Sequence, residues 1–311
     1  MKHKVSIIVP VHNTQDYVEA CVNSLLLQSL KDIEIILVEN CSTDASLEVC
    51  RRIAAKHSGK VRLLQSDVPD LSTARNVGVA ASRSEYVAFV DSDDTVDIVM
   101  YEKMYTLAAE QNLDLVYCNH VMLYEDKAPK YAFSEDGSNR VMSPKEMLMM
   151  VFTHRINSNA CTMLVRRSLF DNLRFPEKMS FEDRAFTFLL IDSSKRVGYI
   201  NKAFYNYYQR SGSICHTMSW KRYYDFVESD RRRLQYIKDS PLFSDEERKV
   251  AASKSADSII RRLRHLHSMA KTPQEKELSR YMSRHLSLIP KGCAISMKAR
   301  LFRRFIRAFY I

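Results

Sequence analysis

An α/β domain with a mostly parallel sheet, followed by a helical extension, is the fold class this sequence predicts. Three observations carry it. Short β-branched runs alternate with stretches of helical apolar spacing through the first half of the chain. Polar clusters stand where three of those runs end, the edge at which open α/β sheets bind ligands. From Trp220 onward helical periodicity takes over and basic residues accumulate.

Val5-Ser6-Ile7-Ile8-Val9 is a β-branched run, and Pro10, which lacks an N–H, is expected to close it. The helix that follows has apolar spacing at Val18, Cys21, Val22, Leu25 and Leu26, with Thr14 or Asp16 as its cap. Ile33 to Val38 reads as the second strand. Glu39 to Asp44 is the turn after it, with Ser42 or Asp44 starting a helix to about Ala55. Val61 to Leu64 reads as the third strand and Thr73 to Ala81 as a helix. Tyr86 to Val90, mostly apolar between polar flanks, suits a sheet interior. Such alternation implies parallel strands joined by right-handed crossovers.

Asp91-Ser92-Asp93-Asp94 follows that last strand. Carboxylates crowded at a strand end are either an acidic turn or oxygen ligands for a hard divalent ion such as Mg²⁺ or Mn²⁺. Pro10-Val11-His12-Asn13 and Glu39 to Asp44 fall at the other strand ends, and Arg75-Asn76 precedes the acidic run. Taken singly, Asn13 and Ser42 are ordinary caps. Together the clusters describe a cation centre, a guanidinium and hydrogen-bonding groups, which suits a nucleoside diphosphate.

At 311 residues, with 46% hydrophobic and 27% charged residues, the chain has the composition of an ordinary soluble protein. It is long enough for a large core with an appendage. The seven cysteines (21, 41, 50, 118, 161, 215 and 293) contain no Cys-x-x-Cys pair, which suggests free thiols in a reducing compartment. The start Met1-Lys2-His3-Lys4 does not read as a leader, and no apolar run approaches the roughly 20 residues a membrane span needs. The net charge of +10 is uneven: Arg261 to Ile311 holds 13 Lys and Arg against 2 acidic residues, so the rest of the chain is near neutral. A basic tail argues for an anionic partner.

The pieces Val-Ser-Ile-Ile-Val-Pro-Val-His-Asn (5–13), Glu-Asn-Cys-Ser-Thr-Asp (39–44), Ser-Thr-Ala-Arg-Asn-Val-Gly (72–78) and Phe-Val-Asp-Ser-Asp-Asp (89–94) resemble, in order and spacing, the bacterial family 2 glycosyltransferases of the GT-A fold. The resemblance implies a GT-A-like fold and an inverting, metal-dependent transferase that uses a nucleotide-activated sugar. It implies donor contacts at Pro10, Val11, Asn13, Glu39, Ser42, Arg75, Asp91 and Ser92, with Glu39 at the base and Asp91 near the ribose and metal. Asp93, with Asp91, matches the Mn²⁺ or Mg²⁺ ligand. The sequence departs from the family at His12, where Tyr or Phe is usual, and at Glu39-Asn40-Cys41-Ser42, where Asp-Asp-Gly-Ser is frequent. Asp70 stands where glycine is common.

In the second half, Asp97 to Glu110 reads as a helix, Asp114 to Tyr124 as extended, and Ser143-Pro144-Lys145-Glu146 as a helix start. Glu182-Asp183 precedes an apolar helical stretch, Ala185 to Ile191. It is either acid favoured by a helix N-terminus or a general base for the acceptor hydroxyl. It resembles the family's base motif, which implies Asp183 as base with Glu182 beside it. The segment Tyr207 to His216 is either a surface loop or a diphosphate clasp, with Arg210 on the phosphates and His216 on the metal. Met297, Leu301, Phe302, Phe305, Ile306 and Phe309 form one apolar stripe opposite Arg300, Arg303, Arg304 and Arg307, with Lys298 inside the stripe. That pattern fits an interfacial membrane helix or a helix docked on the core.

The expected architecture is a transferase domain over 1–216, with a nucleotide-binding half (1–118) and an acceptor half (119–216), then a basic helical region over 217–311. The expected reaction moves one sugar, because no Gln-x-x-Arg-Trp motif of processive synthases is present. The expected partners are a nucleotide sugar, foremost a UDP-sugar, and a glycan or glycolipid acceptor. A membrane surface rather than nucleic acid is expected at the tail, with a cytoplasmic location at the inner face of the membrane. The rival classes are a sugar-phosphate nucleotidyltransferase, which would want a glycine-rich loop after the first strand, and a non-catalytic nucleotide or anion binder.

Overall fold

A computed structural model describes residues 3–209, 218–297, 299–302 and 304. The elements run β1 (Val5–Val11), α1 (Val18–Leu26), β2 (Ile33–Asn40), α2 (Ser46–Lys56), β3 (Val61–Ser66), α3 (Leu71–Ala81), β4 (Tyr86–Phe89), β5 (Thr95–Val96), α4 (Met100–Glu110) and β6 (Leu115–Tyr124). They continue with β7 (Lys130–Tyr131), β8 (Asn139–Met142), α5 (Pro144–Phe152), β9 (Met163–Arg166), α6 (Glu182–Asp192), β10 (Val197–Gln209), α7 (Trp220–Asp239), α8 (Asp245–Met269) and α9 (Pro273–Arg284).

One sheet holds these strands in the order β3-β2-β1-β4-β9-β6-β10-β5, with β7 on β6 and β8 on β10. The first four strands are parallel, as the alternation predicts. Beyond them the sheet is mixed: β9 runs antiparallel to both β4 and β6, while β6 and β10 are parallel.

β1 runs through Pro10 to Val11 instead of stopping at the proline. Ile8 O accepts from Val90 N, so alternation turns the missing Pro10 N–H to the same side, where β4 pairing has already ended at Phe89. The lost donor therefore costs no ladder bond. β2 and β3 likewise extend past the predicted Val38 and Leu64, because Glu39 and Asn40 pair with Gln65 and Ser66.

Helix starts differ by a few residues. Neither Thr14 nor Asp16 caps α1, whose N-cap is Tyr17, with no side-chain capping hydrogen bond. α2 begins at Ser46, after Asp44, and α4 at Met100, after Asp97. α3 begins at Leu71 because Asp70 caps it, accepting from Thr73 N at 2.9 Å. The N-termini of α8 and α9 are capping boxes, Ser244 with Glu247 and Thr272 with Glu275.

The chain divides into two compact units. The first comprises Met1–Pro144, Asn159–Lys178 and Leu189–Ser211; the second comprises Lys145–Ser158, Met179–Phe188 and Gly212–Ile311. The first unit holds the sheet. Val5, Ile7, Val9 and Val11 pack on one face with Val18, Cys21, Val22 and Leu25 of α1. On the other face α3 lies against β1 at Gly78, where a Cβ would stand 2.4 Å from Ile8 Cγ2. In the second unit Phe152, Phe188, Tyr236 and Phe243 form an aromatic cluster. No helix among the described residues is long and apolar enough to cross a membrane.

Candidate active site

β1 lies between β2 and β4, so the three polar strand ends are neighbours, and Val11 is level with Glu39. Hydrogen bonds then tie the loops together. Glu39 is buried, and its Oε1 accepts from Ser42 N at 2.6 Å. Ser42 Oγ accepts from Asn13 N at 3.2 Å, and Asn13 Oδ1 accepts from Thr43 N at 2.8 Å. Thr14 Oγ1 lies 2.9 Å from Ser92 Oγ, joining the β1 and β4 ends. Asp44 accepts from Ser46 N and Gln15 N. Burial opposes its charge, but these hydrogen bonds outweigh that and hold its pKa below the usual carboxylate value.

The departures from the family acquire reasons here. His12 Nδ1 lies 2.6 Å from Asn40 O, an atom that can only accept, so Nδ1 carries the proton. Nε2 then accepts from Asn13 Nδ2 at 3.3 Å. Cys41 keeps a left-handed backbone, φ 54°, as a glycine would. Asn13, φ 52°, does the same, a conformation asparagine tolerates. Asp70 has a second task besides its cap: its Oδ1 accepts from Lys178 N at 3.0 Å.

Arg75, 2% exposed, donates from Nη2 to Asp91 Oδ1 at 3.1 Å. Its guanidinium also lies 5.3 Å from the Phe175 ring centre and 6.0 Å from that of Phe89. Asn76 exchanges two 3.0 Å hydrogen bonds with the Phe175 backbone and so holds that ring under Arg75. Pro10 and Val11 are buried in β1, with Val11 in the core cluster.

Asp94 is not a member of the open acidic group. It is 1% exposed, accepting from Tyr205 Oη at 2.6 Å and from Tyr208 N at 2.8 Å. Tyr205 Oη in turn accepts from Asp91 N at 3.2 Å. Burial, then the charges of Asp91 and Asp93, raise the Asp94 pKa well above its ordinary value. Tyr205 and Tyr208 of β10 thus set the acidic loop. Sequence reading missed Tyr205 and placed Tyr208 in the loop or clasp of Tyr207 to His216, whose first three residues are the end of β10, since no local pattern signals a partner more than a hundred residues away.

Asp91 and Asp93 supply hard oxygen donors, and no group of three or more His, Cys, Asp or Glu side chains suited to a metal occurs among the described residues. A carboxylate pair of this kind fits Mg²⁺ or Mn²⁺, which bind through one or two carboxylates and complete their shell with phosphate and water oxygens. Arg210 and His216 lie outside the described residues, as do Arg303, Phe305, Ile306, Arg307 and Phe309 of the tail.

Glu182 and Asp183 open α6, in the second unit. Glu182 is 7% exposed and Asp183 half-buried. The Thr187 hydroxyl lies 2.8 Å from Asp183 O and 3.0 Å from Ser158 O, which ties this turn to the segment after α5.

Three polar strand ends thus meet on one parallel edge, with an acidic pair and a paired arginine among them. The family model "Glycosyl transferase family 2" matches residues 6–174, and the chain belongs to that family. Among relatives, the uncharacterized glycosyltransferase EpsJ of Bacillus subtilis (strain 168) is 35% identical over 216 residues, 68% of this chain. That match spans 62% of EpsJ, so this chain covers less than two thirds of that relative. Among solved structures, S. aureus TarS 1–349 in complex with UDP-GlcNAc superposes with a TM-score of 0.75 at 21% identity, covering 98% of this chain and 87% of that one. The mannosyltransferase PcManGT of Pyrobaculum calidifontis, in complex with GDP-Man and Mn²⁺, gives 0.58 at 14% identity, with coverages of 98% and 84%. These likenesses establish the GT-A-like fold.

Proposed function

We propose that this protein transfers a single sugar from a nucleoside diphosphate, foremost UDP, to a hydroxyl of a glycan or glycolipid acceptor, with inversion. The observation that carries the reading is the Arg75–Asp91 pair set among the loops of Asn13, Glu39 and Ser92 at one sheet edge. The UDP-GlcNAc complex of TarS supports UDP as the nucleotide.

Glu39, fixed on Ser42 N, lines the base-binding side, and Arg75 holds Asp91 in one orientation. Asp91 and Asp93 would hold the divalent ion, with His216 as a further ligand, and the ion would offset charge building on the departing diphosphate. The Mn²⁺ complex of PcManGT supports that assignment. Arg210 takes the phosphates. Asp183, assigned through the motif it shares with the family, accepts the acceptor proton, with Glu182 beside it. The acceptor oxygen bonds the anomeric carbon, the bond from that carbon to the diphosphate oxygen breaks, and its electron pair leaves with the nucleotide.

The 1–216 transferase region is then followed by a basic region that meets the inner face of the membrane peripherally. Met297 and Leu301, 78% and 60% exposed, begin its apolar stripe. The test of the reading is nucleotide release. With Mn²⁺ and a panel of UDP- and GDP-sugars, one donor is expected to give acceptor-dependent release. No release from any donor, together with no donor-induced rise in melting temperature, defeats it.

A further inference from the structure

In the second unit, α5 and the segment after it, the first turn of α6 and α7 line a cavity of about 70 Å³ that is partly open to solvent. Val151, His154, Asn157, Ser158, Arg184 and Arg233 line it. A single water requires roughly 10–15 Å³. This space is several times larger and admits a group the size of a phosphate.

The charges around it do not balance. Arg184 directs Nε and Nη2 at one oxygen of the fully buried Asp230, at 2.9 and 2.5 Å, and its Nη1 takes no part in that fork. Arg233 is 1% exposed and donates from Nε to Arg184 O at 2.7 Å. Its Nη2 is buried and has no partner among the described residues, and neither has Asp230 Oδ2. One carboxylate therefore serves Arg184 alone, and a second guanidinium lines the cavity with a donor unused. A buried donor left unpaired is destabilising, more so when it is charged.

His154 records the same field. Its pKa is lowered to about 4, first by burial and then by the positive charges of Arg184 and Arg233, with Asp230 opposing and Lys254 of α8 adding to the fall. Arg233 is itself pushed down by burial and by Arg184.

We propose that this cavity is an oxyanion site, taking phosphate as a free ion or as the phosphate group of a larger ligand, with Arg233 and Arg184 as donors. The bound anion supplies the acceptor atoms that Arg233 Nη2 lacks and cancels the surplus positive charge. Through Ser158 O, Thr187 and Asp183 O, its occupancy also braces the turn that begins α6. The existence of this site does not rest on transfer activity.

The test is thermal melting and calorimetric titration of the full chain and of Arg233→Met with inorganic phosphate, glucose 6-phosphate and chloride at equal ionic strength. Phosphate is expected to raise the wild-type melting temperature beyond chloride, and Arg233→Met to weaken phosphate binding at least tenfold. A larger response to glucose 6-phosphate than to inorganic phosphate assigns the site to a phosphate group on a larger ligand; an equal or smaller one assigns it to the free ion. A second measurement needs no variant: saturating sulfate should move the NMR titration of His154 upward by about one pH unit, a tenfold change. The proposal falls if phosphate and chloride act alike on the wild type. It falls equally if His154 does not respond to sulfate, or if Arg233→Met folds and keeps the wild-type phosphate response, which places that response outside this cavity.

Discussion

At the strand edge of the first unit, buried Arg75 pairs with Asp91 while the carboxyl groups of Glu39 and Asp93 stand in the adjoining loops. In the second unit, Arg184 and Arg233 are gathered around one carboxylate, Asp230. The two clusters leave surpluses of opposite sign. Loop groups at the strand edge are tied to one another from strand to strand. In the second cluster, Arg233 Nη2 has no hydrogen-bond partner among the described residues. The proposed ligands follow the predominant groups: a cation at the first cluster and an anion at the second.

The sharpest break in this comparison is Asp93→Ala. It removes half of the acidic pair from the strand edge and is expected to abolish donor-dependent nucleotide release while the melting curve stays near wild type. EDTA should silence the wild type in the same assay. Full turnover in a chelated preparation would end the cation assignment.

Asp183→Asn comes next. A general base contributes roughly 10²–10⁴-fold, so kcat should fall by that factor with donor affinity retained. A collapse of donor affinity with kcat preserved would move Asp183 out of the base role.

Tyr205→Phe addresses the preorganisation of the acidic loop. Loss of the hydroxyl leaves Asp94 short of a donor and Asp91 N short of an acceptor, at a cost of about 1–3 kcal/mol. Chemical denaturation should show that loss. An unchanged midpoint and slope would mean that Asp94 does not lock the loop.

The smallest effect is a difference in acid response. His154 and His267 of the second unit are both lowered to about 4, chiefly by burial. Between their ordinary value near 6.5 and that value the unfolded chain binds more protons than the folded one, so stability is lost as pH falls through this window. In the first unit, hydrogen bonds outweigh burial to lower Glu34 and Asp44, whose contribution is lost only as pH falls below the usual carboxylate range. His120, lowered by burial, adds a smaller version of the histidine effect there. Hydrogen exchange at pH 5 is therefore expected to show α7 to α9 losing protection before β1 to β4. The reverse order would contradict this assignment of the two pH responses.

What the sequence determined by itself was local. Alternating β-branched runs and amphipathic stretches produced the parallel β3-β2-β1-β4 core, and the capping residues before α8 and α9 were already in place, because strand and helix periodicity depend on near neighbours. The candidate site was legible for the same reason: Asn13, Glu39, Asp91 and Asp93 sit at or just beyond the ends of strands, and Arg75 within a helix, that pattern alone locates. The tertiary structure decided what depends on distant partners. Pro10 stays within β1 because β4 stops pairing beside it, a fact about another strand. Asp94 becomes a buried lock rather than an open carboxylate because Tyr205 and Tyr208 arrive from β10. The arginine cavity exists because α6 and α7 bring Arg184, Asp230 and Arg233 together. A buried charge acquires its meaning from the groups packed around it, and that packing appears only once the chain has folded.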